Sequence, residues 1–329
     1  MLRYSLMNAQ EFQNKIYAYF LKHKRILPWR YDRAHNASHT RLAWRAGPDP
    51  YKILVSEVML QQTQVARVLV KYPEFIKRFP TFHTLANASL KDVLSVWQGM
   101  GYNRRAKYLK DAAKIIVRDK RYTFMLLDRH PEFISGSIKS NRSRIKSGMT
   151  EQHMLNQVQH DKSGKDSKLI GLLQQLPGIG QATACAIVTY AYNIPSIFIE
   201  TNIRAVFLFY FFKNQTNVSD RELLAFVEKT LDRKNPRDWY YALTDYGVML
   251  KTREKFKNIQ SRHYTKQSKF EGSRRQLRGR IIHLLTTKPY TIIHLAQKLN
   301  QNQATARSIL GELITEGLVV KKHQFYQLP

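Results

Sequence analysis

A single acid interrupts an apolar stretch early in the chain, S-E-V-M-L-Q-Q-T-Q-V at 56–65. If this stretch is helical, Glu57, Gln61 and Gln64 are four and three residues apart and share one face. A carboxyl group half buried beside apolar residues has a raised pKa, which suits a general acid near neutral pH. The glutamines, including Gln62, suit hydrogen bonding to neutral polar groups such as bases or sugars. An ordinary solvent-facing stripe is the alternative.

A glycine turn, L-P-G-I-G at 176–180, separates two stretches that have helical periodicity. Because glycine permits unusual φ angles and exposes backbone N–H groups, we expect Gly178 and Gly180 to shape a tight turn. The helix that follows adds the positive end of its dipole, which favours a phosphate group. The turn is therefore a candidate phosphate-binding site that does not discriminate between nucleotide sequences. A plain helix–helix connection is the alternative.

A second acid, Glu200, lies in F-I-E-T-N-I-R at 198–204, just before a predicted helix. Glu200 or Asn202 could simply cap that helix, which is the structural alternative. Paired with Glu57, Glu200 would suit the cleavage of a glycosidic bond. One carboxyl group protonates the leaving group, and the other stabilises the positive sugar centre or the attacking water.

The charge balance points to a polyanionic partner. The 329 residues include 54 Lys and Arg against 24 Asp and Glu, a formal net charge of +30. Such an excess is typical of proteins that bind nucleic acid, although a generally basic proteome or a solubilising surface would give the same balance.

The cysteine count limits the possible disulfide and metal sites, and the hydropathy limits the possible membrane and signal segments. The single cysteine, Cys185, excludes an intramolecular disulfide, a four-cysteine zinc site and a four-cysteine iron–sulfur cluster, so we expect no metal and no cofactor. The start of the sequence has no apolar signal core, and the longest apolar run, at 205–212, is too short for a membrane span. We expect a monomer in the cytoplasm, associated with the nucleoid if bacterial.

Apolar residues recur at helical spacing and strand-like alternation is almost absent, so the sequence predicts a mainly α-helical protein. Polar, aperiodic segments at 31–48, 125–167 and 253–273 are interpreted as a long loop, a disordered insertion and a basic linker. A basic DNA-contacting loop is the alternative for the insertion. Residues 1–252 form one predicted helical domain. Its helices are predicted at 9–25, 51–70, 72–78, 89–97, 103–118, 168–175, 181–192, 202–212, 219–231 and 238–250.

Residues 274–329 are predicted to form a separate C-terminal domain. Three helical stretches, at 274–286, 291–299 and 303–315, precede a short hairpin at 318–328, which is the pattern of a winged helix-turn-helix. Arg307 on the third helix and Lys321 and Lys322 in the wing favour contact with DNA. Packing of this domain on the rest of the chain is the alternative.

Four motifs together resemble the helix-hairpin-helix DNA glycosylases. They are L-P-W-R at 27–30, the run D-P-Y-K-I-L-V-S-E-V-M-L-Q-Q-T-Q-V at 49–65, G-M-G-Y at 99–102 and L-P-G-I-G. Within that superfamily the chain is most similar to the MutY adenine glycosylases, over about 9–120 and 168–252. The resemblance implies a two-lobed helical core and an enzyme that flips adenine, mispaired with 8-oxoguanine or guanine, out of double-stranded DNA and removes it.

The resemblance also implies roles for individual residues. Glu57 matches the acid that protonates adenine, and Tyr102 matches a wedge residue near the mismatch. Glu200 stands where the family has a catalytic aspartate, whose side chain is one methylene shorter than that of glutamate. Ala182 stands where the bifunctional endonuclease III branch has a Schiff-base lysine, which implies an enzyme without lyase activity. Further matches are Gln61, Gln62 and Gln64, in the segment that penetrates the duplex, and Gly178 and Gly180, in the phosphate-binding hairpin.

Two departures from the family keep other functions open. The four-cysteine iron–sulfur loop is replaced by the basic segment, and the predicted winged helix stands where the family has a Nudix-like module that reads 8-oxoguanine. A thymine or uracil mismatch glycosylase and a catalytically idle DNA-binding regulator are therefore the alternatives. The glutamines favour adenine, and the acids at 57 and 200 argue against the regulator.

Overall fold

The computed structural model describes residues 7–31, 48–122, 166–265 and 269–329. The predicted loop at 31–48 and insertion at 125–167 fall almost entirely outside these ranges. The described residues divide into two compact units. Unit 1 contains 7–31, 48–53, 166–174 and 180–265, and unit 2 contains 54–122, 175–179 and 269–329.

The protein is mainly helical, as predicted. No helix in the described ranges is both long and apolar enough to cross a membrane. The helices are α1 (Ala9–His23), α2 (Pro50–Leu60), α3 (Val65–Arg78), α4 (Phe82–Asn87), α5 (Leu90–Val96), α6 (Arg104–Arg118), α7 (166–174), α8 (Gln181–Tyr192), α9 (Thr201–Phe211), α10 (Asp220–Thr230), α11 (Pro236–Thr252), α12 (Arg274–Thr287), α13 (Ile292–Leu299) and α14 (Gln303–Thr315).

The helices between residues 50 and 87 differ from the sequence-based prediction. The predicted break between 51–70 and 72–78 is wrong, because α3 runs without interruption from Val65 to Arg78. The predicted helix at 51–70 is in fact two helices, because Gln62 adopts a left-handed φ of 52° that ends α2 at Leu60. The short helix α4 was not predicted, since F-P at 79–80 suggested a break. Thr81 starts it at once with a capping box, in which Thr81 and Thr84 each bond the other's backbone N–H.

Aromatic side chains from three helices form the core of unit 1. The ring of Phe12 on α1 lies 5.0 Å from Phe211 and 5.5 Å from Phe207, both on α9. It lies 5.8 Å from Trp239 on α11, in an edge-to-face arrangement. Such pairs add roughly 0.5–1.5 kcal/mol beyond area burial. These contacts hold together α1, α9 and α11.

A buried ion cluster joins the L-P-W-R motif to α11. Asp245 is 2% exposed and accepts hydrogen bonds from Arg30, which is 4% exposed, at 2.9 and 3.0 Å. The Asp245 carboxylate also accepts from the side chain of Arg25 at 2.6 Å. The guanidinium of Arg30 lies 4.4 Å from the ring centroid of Tyr241. The motif therefore fixes the chain after α1 to the core of unit 1.

The segment 253–265, which follows α11, is tied to unit 1 without a helix or named strand. Asn258 is buried and donates its side-chain amide to the Thr201 carbonyl at 2.9 Å. The backbone N–H of Val218 donates to Gln260 at 2.8 Å, and that of Arg262 donates back to Val218 at 2.9 Å. These bonds place the segment beside the start of α9.

The C-terminal part of unit 2 contains α12, α13, α14 and a three-stranded antiparallel sheet. The strands are β1 (Tyr290–Thr291), β2 (Val320–Lys322) and β3 (Phe325–Gln327), in the order β1-β3-β2. The predicted helices and hairpin are confirmed, and β1 is an addition. The winged helix remains an interpretation of this arrangement. The core is formed by Ile281, Ile282, Leu285, Leu295, Leu299, Ala306, Ile309, Leu310, Leu313, Leu318, Val319 and Tyr326.

We expect Asp245→Asn to lower the free energy of unfolding by about 3–5 kcal/mol, because it leaves two arginines without their buried counter-charge. Urea unfolding followed by circular dichroism measures this. The matched control is Asp119→Asn, which removes a carboxylate from an exposed pair with Arg121 and should change stability little. Equal effects of the two substitutions would contradict a structural role for the cluster.

Candidate active site

The last turn of α2 carries Glu57, whose side chain is half buried. The expectation that Glu57, Gln61 and Gln64 share one helical face is wrong, because α2 ends at Leu60 and residues 61–64 form a turn. Gln62 holds the left-handed conformation, and Gln64 has extended backbone angles just before α3. The glutamines therefore lie on a turn that follows the acid.

One buried guanidinium holds this turn in place. Arg105, in the first turn of α6, donates to the carbonyl oxygens of Val58 at 2.9 Å and Met59 at 3.0 Å. It also donates to the carbonyl of Gln61 and, at 2.9 Å, to the hydroxyl of Thr63. The last carbonyl groups of a helix have no partner within the helix, so Arg105 satisfies groups that α2 leaves open.

The same guanidinium also holds the loop that carries Tyr102. Arg105 donates to the carbonyl oxygens of Met100 and Gly101, each at 3.2 Å. Its guanidinium carbon lies 5.5 Å from the ring centroid of Trp97 and 5.4 Å from that of Tyr102. Trp97 donates its indole N–H to Gly101 at 3.1 Å. Arg105 thus connects the end of α2, the glutamine turn and the G-M-G-Y loop within unit 2.

Arg105 was missed by the sequence reasoning, although a signal exists. Positions 105, 109, 112 and 116 lie on one face of α6, and Leu109, Ala112 and Ile116 are buried apolar residues. An arginine at the start of such a stripe is a buried charge that needs several acceptors. Burial lowers the pKa of Arg105 to about 10, so the guanidinium stays protonated at neutral pH.

Tyr102 is an exposed aromatic residue held in an uncommon backbone conformation. Its φ is 47° and the residue is 38% exposed. A non-glycine residue at positive φ is strained and persists only where its surroundings determine it. The carbonyl bonds from Arg105 to the preceding residues supply such a constraint.

The two glycines of the hairpin differ in their roles. Gly178 has φ 76°, and a Cβ there would lie 2.8 Å from the ring of Tyr108 on α6, so only glycine fits. Its carbonyl accepts a hydrogen bond from the side chain of Gln61 at 3.2 Å. Gly180 has φ −86° and open space around it, so the expected unusual φ is wrong for Gly180. An open backbone there is compatible with close approach of a ligand.

Glu200 belongs to unit 1 and caps α9, as the structural alternative predicted. Its carboxylate accepts from the backbone N–H of Ile203 and from the side chain of Asn202, both at 3.3 Å. Asn202 in turn accepts from the Lys251 ammonium at 3.0 Å. Burial lowers the pKa of Lys251, and the charge of Glu200 opposes this shift. A Cβ at Gly247 would overlap the Asn202 carbonyl, so α11 needs glycine there.

The predicted DNA-contacting residues of the C-terminal part, Arg307 on α14 and Lys321 and Lys322 on β2, are exposed. Unit 2 thus contains these residues together with Glu57, Tyr102 and the glutamine turn. Glu200 and Gly180 belong to unit 1. Among the residues that the structure describes, no group of three or more His, Cys, Asp or Glu side chains is arranged to hold a metal ion.

The model of the HhH-GPD superfamily of base excision DNA repair proteins matches residues 55–229. The chain belongs to this superfamily. The match includes both acids, Tyr102 and the hairpin, whereas α12–α14 and the sheet lie outside it. Membership supports the fold expected for the helical core.

Curated proteins similar to this chain carry the name adenine DNA glycosylase. That of Mycobacterium tuberculosis (strain H37Rv) is 35% identical over 182 residues, which is 55% of this chain and 44% of the relative. That of Buchnera aphidicola subsp. Baizongia pistaciae is 28% identical over 229 residues, 68% of this chain and 51% of the relative. The chain thus spans about half the length of the curated relatives it matches. A solved thermostable thymine-DNA glycosylase is 19% identical, with a TM-score of 0.47, and the match covers 73% of this chain and 86% of that one.

We expect Arg105→Lys to lower the free energy of unfolding by roughly 1–3 kcal/mol, because an ammonium group cannot reach all the acceptors that the planar guanidinium serves. Thermal and urea unfolding measure the loss. Arg118→Lys is the matched control, since Arg118 is exposed at the other end of α6. Its stability should change by less than about 0.5 kcal/mol. Equal stability of the two variants would contradict the role given to Arg105.

Proposed function

We propose that the chain is an adenine DNA glycosylase of base excision repair, which removes adenine mispaired with 8-oxoguanine or guanine. The single observation that carries the proposal is the guanidinium of Arg105, which holds the helix end after Glu57, the glutamine turn and the loop of Tyr102 in one constellation. Similarity to curated relatives named adenine DNA glycosylase supports the choice of base.

The proposed partner is double-stranded DNA, bound by a monomer. A net charge of +30 supplies attraction to phosphates. Removal of a base requires its rotation out of the stack, which leaves a gap in the duplex. Polar glutamine side chains on a turn and an exposed aromatic ring are suited to fill such a gap and to stack on the neighbouring bases. The open backbone at Gly180 suits a phosphate contact.

The proposed reaction is the hydrolysis of the N-glycosidic bond. Glu57 gives a proton to the adenine ring, and the bonding electron pair leaves with the base. The sugar carbon becomes positively charged, and water adds to it after losing a proton. A carboxylate stabilises such a positive centre or accepts the proton of the water, and we assign this role to Glu200. The products are free adenine and an abasic site.

We also propose that the enzyme has no lyase activity and no cofactor. Ala182, at the start of α8, offers no amine for a Schiff base at the position that the resemblance singles out. The single cysteine, Cys185, is buried in α8 and could supply only one of the four thiolates that an iron–sulfur cluster needs. Asn258 and Arg262 donate hydrogen bonds to the rest of unit 1 and the Gln260 carbonyl accepts one from it, and these bonds fix the segment that stands in place of the cluster loop.

The function is tested by single-turnover base release from four duplexes, carrying A opposite 8-oxoguanine, A opposite G, T opposite G and U opposite G. We expect adenine to be released from the first two. Glu57→Gln should lower the rate by about 10²–10⁴-fold, the usual contribution of a general acid, while DNA binding is retained. Glu74→Gln, the same change at an exposed site on α3, is the control and should leave the rate unchanged.

Release of thymine or uracil instead of adenine would reassign the substrate. Binding without any release would favour the DNA-binding regulator. An unchanged rate in Glu57→Gln would remove Glu57 from its role.

The length of the side chain at position 200 provides a separate test. Glu200→Asp retracts the carboxylate by roughly one C–C bond, about 1.5 Å, and keeps a preferred helix cap. Because misplacement by about 1 Å can cost up to about 10²-fold, we expect Glu200→Asp to raise the single-turnover rate by as much as that factor. Glu200→Gln should lower it by at least about tenfold. A wild-type rate in Glu200→Gln would leave the residue with its capping role alone.

A further inference from the structure

The exposed ring of Tyr102 is also contacted by a helix of the C-terminal part. Arg275, in the first turn of α12, donates from its Nη1 to the Tyr102 hydroxyl at 3.0 Å. The guanidinium carbon of Arg275 lies 6.0 Å from the ring centroid, and that of Arg105 lies 5.4 Å away. The ring is therefore held by two cations, one from α6 and one from α12.

Ion pairs fix α12 and α14 to α6 around this contact. Arg278 on α12 pairs with Glu312 at 2.8 Å and with Glu316. Glu316, at the end of α14, also pairs with Arg104, the first residue of α6 and two positions after Tyr102. The side chain of Glu316 is 11% exposed, so the carboxylate shared by Arg104 and Arg278 is largely shielded from water, whereas Arg104 and Glu312 lie at the exposed edge of the network. The helix that carries Arg275 is therefore anchored to α6 through these ion pairs.

The ring of Tyr102 and the two arginines beside it are suited to contact a nucleobase. An exposed aromatic ring stacks on bases, and the arginines beside it add a favourable cation–π and phosphate environment. A hydrogen bond to the hydroxyl fixes the tilt of the ring, which a stack depends on. The residues of α12 lie outside the superfamily match at 55–229, so this contact is contributed by the part of the chain that the match leaves out.

We propose that Arg275 is a positioning residue for Tyr102, through which the C-terminal part of unit 2 sets how this ring stacks on the bases of a mispair. The inference rests on the proposed function, because it takes mispaired DNA as the ligand. It gives the C-terminal part a role in recognition of the mispair, through α12, in addition to any contact made by Arg307, Lys321 or Lys322.

A double-mutant cycle in the 329-residue chain tests the inference, with Glu57→Gln present in every variant. Kd is measured for a duplex with A opposite G and for the same duplex with A opposite T. The quantity compared is the Kd of the A·T duplex divided by the Kd of the A·G duplex, which is the preference for the mispair. We expect Arg275→Ala to lower this ratio by about three- to tenfold. Tyr102→Phe should lower it similarly, and the double variant should lose no more than either single variant, because both remove the same hydrogen bond.

Arg280→Ala is the matched control, since Arg280 is an exposed arginine on the same helix that bonds the Lys298 carbonyl. It should weaken the binding of both duplexes equally and leave the ratio unchanged. If Arg275→Ala lowers the midpoint of thermal unfolding, the cycle is repeated with Arg275→Lys in its place. Lysine keeps the charge and a donor, so it should restore part of the ratio.

The outcomes separate the inference from the proposed function. An unchanged ratio in Arg275→Ala, or additive losses in the double variant, would overturn the inference even where adenine is released. Equal affinity of the Glu57→Gln protein for the two duplexes would overturn it as well. Failure of the wild-type protein to release adenine from any duplex would reject the proposed function, while a coupled loss in the cycle would still support Arg275 as the positioning residue.

Discussion

The structure of the candidate site depends on one buried cation. Arg105 satisfies the open carbonyl groups at the end of α2 and, with the same guanidinium, the carbonyl groups before Tyr102. A buried charge of this kind is stable only while its acceptors stay in place, and the acceptors stay in place only while the charge is present. The acid, the glutamine turn and the aromatic ring are therefore ordered together.

Under the proposed function, this arrangement would allow a positively charged, mainly helical protein to present a few neutral groups to a base. The long-range attraction comes from the overall charge of +30, which carries no information on sequence. Selection of a base requires short hydrogen bonds and stacking from groups held in a fixed geometry. In unit 2 the groups proposed for this role are Gln61, bonded to Gly178, and Tyr102, whose ring is contacted by Arg105 and Arg275.

The sequence predicted the elements better than the contacts. The predicted bounds of α8 agree with the structure, because glycine before it and Asn193 after it mark both ends. The split after Leu60 was missed, since the glutamines fit a helix and nothing local requires the left-handed φ of Gln62. Arg105 was missed because four of its acceptors, at the end of α2 and in the glutamine turn, are 42 to 47 residues earlier. The pairing of Arg275 with Tyr102 spans 173 residues. Such contacts arise only in the folded chain.

Hydrogen exchange measured by mass spectrometry tests the central claim most directly. In Arg105→Lys, we expect faster exchange in the peptides that cover 58–64 and 99–102 together, because both lose the same donor, with unchanged exchange in α9 of unit 1. Faster exchange in only one of the two peptides, or in neither, would contradict the account in which a single guanidinium orders the whole site.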